Sequence, residues 1–267
     1  MIIDGKKIAA EIEVKLKQEI DQLPPLKVVV VTLVADKITE TYLRLKEKLA
    51  TRLGVDFNIF NYEENLTTRE LVAEIIRLND DAGVSGIVLQ LPLPSSIDLD
   101  EVISTISPAK DIDALNPETN LDNPVVEAVS EILNHIKVKI EGKQVLVLGS
   151  GRLVGRPVAL WFTRQGYDVE MVDVKTETKK VENLLQAADI IVSGIGKPGF
   201  IKPGLIKEGV ILIDAGTSED GGRVVGDADP SCASKAGFFT PVPGGVGPIT
   251  LVKLFENLLI LSSKDKD

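Results

Sequence analysis

The stretch from Gln144 to Pro157, Gln-Val-Leu-Val-Leu-Gly-Ser-Gly-Arg-Leu-Val-Gly-Arg-Pro, decides the fold of this chain. It opens with a short apolar run, which predicts a buried parallel strand. Gly149, Gly151 and Gly155 follow, and a second apolar run then continues as a helix. A strand, a glycine-rich turn and a helix in this order predict a dinucleotide-binding unit, because the helix N-terminus offers free N–H groups to a pyrophosphate.

Each glycine has an expected role in such a turn. Gly149 permits the tight turn, Gly151 lets the backbone approach a pyrophosphate, and Gly155 lets the helix pack closely on the strand. The spacing GxGxxxG is one residue longer than the common fingerprint. Because a glycine triplet alone is weak evidence, a plain turn between a strand and a helix stays an alternative.

The chain after this turn supports a nucleotide site. A second strand is predicted at 168–172, and Asp173 stands at its end, about twenty residues past the glycines. A carboxylate there can accept hydrogen bonds from a ribose 2′-OH, although it could equally cap a loop. Two more strands are predicted at 188–193 and 210–214, each followed by a glycine-containing turn. This alternation predicts a doubly wound parallel sheet that binds its ligand at the carboxyl ends of its strands.

Length and charge limit the classes of protein that this chain can represent. It has 267 residues, which favours two domains. The net charge of −10 argues against a nucleic-acid partner or an anionic membrane surface. We find no apolar run long enough to span a bilayer and no signal peptide, so we expect a cytoplasmic protein.

The chain has one cysteine, Cys232, and one histidine, His135. Internal disulfides and thiolate metal clusters are therefore excluded, and a zinc site or a Ser-His-Asp triad is disfavoured; we predict no metal site. Cys232 is interpreted as a small, half-buried residue and His135 as a packing or surface residue. Acid–base chemistry would then have to come from Lys, Tyr, Asp or Glu.

The first half of the chain reads as a second α/β unit without a glycine cradle. Helices are predicted at 6–22, 38–53, 67–79 and 99–106, and strands at 26–34, 55–62 and 86–90. The fold class is therefore α/β with two domains, an N-terminal catalytic domain at 1–120 and a Rossmann-type domain at 121–248. The apolar helix at 249–263 is expected to pack back on the first domain, with the active site in a cleft between the two.

Four polar residues of the first half are candidate site residues. Tyr42 and Lys46 are four apart on a predicted helix and so share one face, while Gln90 and Asp113 follow apolar segments. Each could instead be an ordinary surface or capping residue. Near the C-terminus, the loop 240–248 holds three prolines and three glycines, which favours a rigid loop that lines a ligand.

Several motifs together resemble the bifunctional methylenetetrahydrofolate dehydrogenase/methenyltetrahydrofolate cyclohydrolase family, over nearly the whole chain and in order. These motifs are Asp4-Gly5-Lys6, Tyr42-x-x-x-Lys46, Gly86-Ile-Val-Leu-Gln-Leu-Pro-Leu-Pro94, Pro108-Ala-Lys-Asp-Ile-Asp113, Leu153-Val-Gly-Arg-Pro157, Gly196-Lys-Pro198, Val224-Val-Gly-Asp227 and Thr240-Pro-Val-Pro-Gly-Gly-Val-Gly-Pro248.

The resemblance implies a role for each candidate residue. Lys46 is the general acid/base of the cyclohydrolase step, Gln90 positions Lys46, Tyr42 orients the folate, and Asp113 anchors the pterin ring. Further substrate contacts are implied for Leu91, Pro92, Pro243, Gly244 and Gly245. Cofactor contacts are implied for Gly149, Ser150, Gly151, Arg152, Gly155, Asp173, Val174, Lys175, Gly194 and Thr217. The implied substrates are tetrahydrofolate one-carbon derivatives, and the family is typically a homodimer through the second domain.

The cofactor is expected to be NAD(P), with NADP as the family default. Two departures from the family pattern favour NAD: Ser150 replaces an arginine, and Asp173-Val174 replaces His-Ser. Because a 2′-phosphate needs paired cationic donors, Asp173 would repel it. Lys175 and Arg152 are nearby cations that could still admit NADP.

Two other functions stay open at this point. The first is another two-domain NAD(P)-dependent dehydrogenase, of the amino-acid or shikimate type, against which the motif at 90–94 and the Tyr42/Lys46 pair argue. The second is a non-catalytic nucleotide-binding relative. The unusual junction at 123–128 keeps this second alternative open.

Overall fold

The computed structural model describes residues 1–33 and 37–264, except the side chains of residues 37, 38 and 264. The described chain forms two compact units. One unit contains Ala10–Pro124 and the C-terminal residues from Leu251 onward, and is called the 10–124 unit. The other contains Met1–Ala9 and Val125–Thr250, and is called the 125–250 unit.

The 10–124 unit is built on a parallel sheet of three strands in the order β2-β1-β3. Its four valines at 28–31 in the central strand are all fully buried, which is typical of a parallel strand covered on both faces. The elements are α1 (Gly5–Ile20), β1 (Lys27–Thr32), α2 (Lys37–Leu53), β2 (Asp56–Asn61), α3 (Thr68–Asp80), β3 (Gly86–Leu89) and α4 (Leu99–Thr105). The predicted elements are confirmed within two residues at nearly all their ends. The predicted extension of β1 to Val34 lies outside the described residues.

The 125–250 unit contains a parallel sheet of five strands in the order β10-β7-β6-β4-β5. Because the chain starts at β4, runs outward to β5 and then crosses to β6, the strand order reverses between β4 and β6, where such sheets bind ligands. The elements are α5 (Pro124–His135), β4 (Val145–Leu148), α6 (Gly155–Arg164), β5 (Val169–Val172), α7 (Thr178–Ala187), β6 (Ile190–Ser193), β7 (Ile211–Asp214), the hairpin β8 (Ser218–Asp220) with β9 (Arg223–Val225), β10 (Phe238–Phe239) and α8 (Val246–Lys264).

The first residues, which the sequence analysis assigns to the domain at 1–120, make contacts with the 125–250 unit. Ile2 forms a parallel bridge with Phe239, and the Ile3 N–H donates to the Phe239 carbonyl oxygen at 2.8 Å. The first residues therefore extend the sheet of the 125–250 unit. A Cβ on Gly5 would overlap the Gly245 carbonyl, so the start of α1 also packs on the loop before α8. Pairing across more than 230 residues leaves no periodic signal in so short a segment.

The C-terminal part of α8 packs within the 10–124 unit, as predicted. Asn257 Nδ2 donates to the carbonyl oxygens of Ile112 at 3.0 Å and Asp122 at 3.1 Å. A Cβ on Gly86 would lie 3.0 Å from Leu258 Cδ1, so α8 packs directly against β3.

The helix α8 corrects one expectation from the sequence, which was that no segment is long and apolar enough to span a bilayer. Residues 246–263 have a mean hydropathy of 1.3 and satisfy the criteria of length and composition. The helix was missed because Lys253, Glu256 and Asn257 interrupt its apolar run. A core helix of a soluble protein passes the same test, and Phe255 and Leu258 are fully buried. The finding is therefore weak evidence for a membrane segment.

Candidate active site

The helix α2 carries Tyr42 and Lys46 one turn apart, and both side chains are half-buried. Leu49 and Leu53 continue the same face of α2 towards its C-terminal end and anchor it in the core. Lys46 Nζ donates to Gln90 Oε1 at 3.1 Å. Gln90 Nε2 in turn donates to the Leu91 carbonyl oxygen at 2.8 Å, which keeps Oε1 directed at the lysine. The structure thus joins two residues that are 44 positions apart in the sequence.

Asp113 belongs to the same cluster. Burial raises the pKa of its carboxyl above the ordinary range, and the positive charge of Lys46 opposes this shift. The interaction requires the two side chains to be near each other. The structure therefore joins Lys46 to Gln90 by a hydrogen bond and places Asp113 within electrostatic range of Lys46, with Tyr42 on the same face of α2 as Lys46.

The segment Pro108–Asp113 holds Asp113 in place through its other polar residues. Lys110 Nζ donates to the carbonyl oxygens of Asn79 and Asp81, both at 2.7 Å, at the C-terminal end of α3. The fully buried Asp111 accepts from the Asn116 N–H at 2.7 Å through Oδ2. Burial raises the pKa of Asp111 as well. These supporting roles of Lys110 and Asp111 were not predicted, because nothing in their spacing distinguishes a supporting residue from a ligand.

The loop before α8 contains the three predicted substrate residues Pro243, Gly244 and Gly245. Pro243 is exposed and follows a cis peptide bond, whereas Gly245 is buried. The Gly245 N–H donates to the Pro241 carbonyl oxygen at 2.7 Å, which closes the loop on itself. Gly245 therefore supports the loop from within, and Pro243 lies at its surface.

The glycine-rich turn after β4 has the geometry that its sequence predicts. Gly149 has a φ of +104°, and a Cβ there would lie 2.5 Å from the Gly194 carbonyl oxygen. A Cβ on Gly155 would overlap the Gly149 carbonyl. With any other residue at this position, α6 could not pack as close to β4 as it does. Over Gly151, in contrast, a Cβ would meet nothing within 4 Å, and this space is open for a ligand.

A cavity of about 300 Å³ opens at the carboxyl ends of β4, β5 and β6. Its lining residues are Gly149, Ser150, Gly151, Asp173, Val174, Lys175, Gly194 and Ile195. Seven of these eight were predicted as cofactor residues; Ile195 was missed because an apolar side chain after a strand carries no distinctive signal. Of the other predicted cofactor residues, Gly155 lies beneath the turn, while Arg152 and Thr217 are exposed and outside the lining.

Asp173 caps a turn and lies in the cavity wall. Its Oδ1 accepts from the Lys175 N–H at 2.9 Å and from Thr176 Oγ1 at 3.3 Å, which caps the turn after β5. Asp173 also lines the cavity. The hydrogen bond from the Lys175 N–H, with smaller contributions from Thr176, lowers the pKa of Asp173, so the carboxyl is negatively charged at neutral pH.

These features fit a bound dinucleotide. The turn approaches the cavity without side chains at Gly149 and Gly151, and the N-cap residue of α6, Val154, makes no side-chain capping hydrogen bond. Within the first turn of α6, the Arg156 N–H donates to the Gly151 carbonyl oxygen at 3.0 Å and Pro157 has no N–H. A pyrophosphate would therefore be held by N–H groups of the glycine-rich turn and by the positive end of the helix dipole. Asp173 at the end of the next strand suits a ribose hydroxyl.

Cys232 is fully buried, and its Sγ donates to the Ile201 carbonyl oxygen at 3.3 Å. Burial raises the pKa of the thiol to about 11, so it is not a thiolate at neutral pH and is unsuited to act as a nucleophile. This confirms its interpretation as a packing residue, although it is more buried than expected. Within 1–33 and 37–264, no group of three or more His, Cys, Asp or Glu residues is arranged to hold a metal ion.

Comparison with known proteins identifies the family. The model of the tetrahydrofolate dehydrogenase/cyclohydrolase catalytic domain matches residues 3–113, and that of the NAD(P)-binding domain of the same family matches residues 124–266. The chain belongs to the tetrahydrofolate dehydrogenase/cyclohydrolase family. The predicted family, the two-domain α/β fold and the NAD(P)-binding domain are therefore confirmed.

Individual relatives match the chain over its full length. The bifunctional protein FolD of Macrococcus caseolyticus is 35% identical over 280 residues, which cover 98% of both chains. The crystal structure of the bifunctional FolD of Campylobacter jejuni superposes with a TM-score of 0.93 at 30% identity and 99% coverage of both chains. The Trypanosoma brucei FolD, solved with NADP and an inhibitor, gives a TM-score of 0.92 at 34% identity and covers 99% of this chain and 98% of that one. These matches support the bifunctional enzyme and neither alternative.

Proposed function

We propose that the chain oxidises 5,10-methylenetetrahydrofolate to the methenyl derivative with NAD(P)+ and hydrolyses that product to 10-formyltetrahydrofolate. The observation that carries this proposal is the cluster of Lys46, Gln90 and Asp113 in the catalytic domain. The cluster supplies a proton donor and acceptor in a chain that has a single histidine.

Each residue of the cluster has a distinct task in the proposed mechanism. Lys46 transfers protons while water adds to the cationic methenyl carbon and the resulting adduct opens. Gln90 holds the Lys46 ammonium through Oε1, and Asp113 accepts hydrogen bonds from the pterin. Tyr42 orients the folate alongside Lys46. Gly149, Gly151 and the start of α6 would hold the pyrophosphate of a dinucleotide, which would supply the acceptor for a hydride from the methylene carbon.

An absorbance assay tests the proposed function. Purified protein is mixed with 5,10-methylenetetrahydrofolate and either NAD or NADP, and formation of the methenyl chromophore is followed. A second assay starts from the methenyl compound and follows its loss. We expect both activities; a protein that binds NAD or NADP but performs neither reaction would be the non-catalytic relative.

We also propose that NAD is accepted at least as well as NADP. Asp173 is ionised and lines the cavity, and its negative charge suits a ribose hydroxyl and repels a 2′-phosphate. Ser150 offers a hydroxyl where the family pattern has an arginine. Lys175 lines the same cavity and is the cation that could offset Asp173.

Specificity constants for both cofactors, measured on the parent and on Asp173→Ser, decide the preference. The variant removes the repulsive charge, so its kcat/KM with NADP should rise relative to NAD by about tenfold or more. A strong preference of the parent for NADP would contradict the proposal and assign the 2′-phosphate to Lys175 or Arg152.

The protein is further proposed to be a cytoplasmic homodimer, as the family resemblance implies. Its 125–250 unit offers a suitable surface, because β5 is an edge strand and Met171 on β5 and Leu160 on α6 are exposed. Light scattering coupled to size-exclusion chromatography should give the mass of a dimer. Met171→Glu should shift it towards the monomer, and a monomeric parent would contradict the proposal. Cell fractionation tests the location.

A further inference from the structure

Two buried carboxylates, Asp214 and Asp227, lie beside the dinucleotide cavity without lining it. Asp214 is the last residue of β7, and Asp227 follows β9. Both are essentially inaccessible to solvent, with exposed fractions of 1% and 0%. Because burying a carboxylate is costly unless it is fully hydrogen-bonded, their partners indicate what they are retained for.

Asp227 is bonded to the loop that follows β6. Its Oδ2 accepts from Ser193 Oγ at 2.7 Å and from the Ile195 N–H at 2.9 Å. Its Oδ1 accepts from the Lys197 N–H at 2.8 Å. Three donors from one five-residue segment thus converge on a single carboxylate. Two residues of this segment, Gly194 and Ile195, form a wall of the cavity.

Asp214 fixes Asp227 from the other side. Asp214 Oδ1 accepts from the Asp227 N–H at 3.2 Å, and its Oδ2 accepts from the Ala228 N–H at 2.8 Å. A Cβ on Gly216 would overlap the Asp227 carboxylate, so the chain after β7 leaves space for it. The position of the Asp227 carboxylate is therefore set by the end of β7, which belongs to the rigid sheet.

We propose that Asp227 is a positioning residue for the dinucleotide: it holds the segment 193–197 in the shape that forms the cavity wall, although it does not touch the cofactor. A carboxylate suits this task because it is an acceptor at both oxygens, whereas an amide has a donor at one end. The function follows from the geometry, since the segment makes its wall only if Ile195 and Lys197 keep their N–H groups directed away from the cavity.

The test is Asp227→Asn. In either orientation, the amide NH2 faces an N–H donor of Ile195 or Lys197 and leaves it unpaired. The dissociation constants of NADH and NADPH, measured by fluorescence titration, should rise by about tenfold or more. Hydrolysis of the methenyl substrate, which consumes no dinucleotide, should keep its parental rate. The matched control is Asp220→Asn, which makes the same change in charge at an exposed residue of the same unit and should bind both nucleotides like the parent.

Two outcomes would overturn the proposal. One is a folded Asp227→Asn protein with parental dissociation constants, the fold being checked by the thermal transition of Trp161 fluorescence. The other is a parallel loss of nucleotide binding and methenyl hydrolysis, which would indicate a general structural role. If the variant does not fold, Ser193→Ala decides, since it removes one donor to Asp227 and keeps both backbone bonds. It should weaken nucleotide binding several-fold, and unchanged binding would reject the role. Direct titration keeps this result independent of whether the folate reactions occur.

Discussion

The ammonium of Lys46 lies 3.1 Å from Gln90 Oε1 and near the Asp113 carboxyl, so it is held within a polar cluster on the catalytic domain. Replacement by methionine keeps an unbranched side chain of nearly the same length and removes the ammonium group. We expect Lys46→Met to lower methenyl hydrolysis by about 10²- to 10⁴-fold, the typical contribution of a general acid/base, and to retain part of the dehydrogenase activity. The matched control is Lys48→Met, at an exposed position of the same helix. If Lys46→Met hydrolyses the methenyl compound at the parental rate, Lys46 is not the general acid/base.

Asp113 gives the cluster a dependence on pH. Burial raises the pKa of its carboxyl, with Lys46 opposing the shift, so the carboxylate is lost at a higher pH than for an ordinary aspartate. If the carboxylate binds the pterin, folate affinity should fall on acidification through this raised pKa. In Asp113→Asn the folate affinity should be weaker at neutral pH and should not fall further on acidification. Calorimetric titration of folate across the acid range measures both effects, and nucleotide affinity serves as the control. A variant with parental folate affinity would exclude Asp113.

At the scale of elements, the loop after Asp113 carries backbone strain. Ala114 has a φ of +50°, in the left-handed region that favours glycine. Ala114→Gly should raise the free energy of unfolding by about 1 kcal/mol, because the relief of strain exceeds the added entropy of the unfolded chain. The matched control is Ala82→Gly in an exposed turn, where φ is not positive and the change should cost about 0.4–1 kcal/mol. Denaturant unfolding gives the free energy of unfolding of both variants. If both substitutions change it in the same direction, the expectation is wrong.

At the scale of the whole molecule, the buried carboxylate of Asp214 couples stability to pH. Burial, together with the charge of Asp227, raises its pKa from 3.8 to about 6 against the hydrogen bonds from Ala228 and Gly216. The folded state therefore binds this proton more tightly than the unfolded state does. The resulting stability is present below the unfolded pKa and is lost as pH rises through the folded pKa.

The variant Asp214→Asn isolates this contribution. Between about pH 4 and pH 6, the parent should lose up to about 3 kcal/mol relative to the variant as pH rises. Denaturant unfolding followed by Trp161, the single tryptophan, reports on the unit that contains Asp214. Stability curves of parent and variant that run parallel across this range would show that Asp214 does not titrate there.

The sequence by itself determined the features that depend on local patterns. The apolar run at 145–148 and its glycines predicted the strand, the turn and most of the cavity lining, because each follows from steric rules over a few residues. Tyr42 and Lys46 were placed on one face of a helix by their spacing alone. The family itself followed from motifs such as that at 90–94. Each of these features is determined by residues that are close together in the sequence.

Only the tertiary structure decided which distant residues meet. The Lys46–Gln90 bond, the pairing of Ile2 with Phe239, and the carboxylate pair beside the cavity join segments that are 13 to 237 positions apart. Asp214 and Asp227 look like ordinary loop residues in the sequence, since burial and hydrogen-bond partners are properties of the packed chain. Lys110 and Asp113 lie three residues apart, yet one supports a helix end and the other joins the polar cluster. Spacing predicts which residues share an element, whereas packing decides what each residue touches.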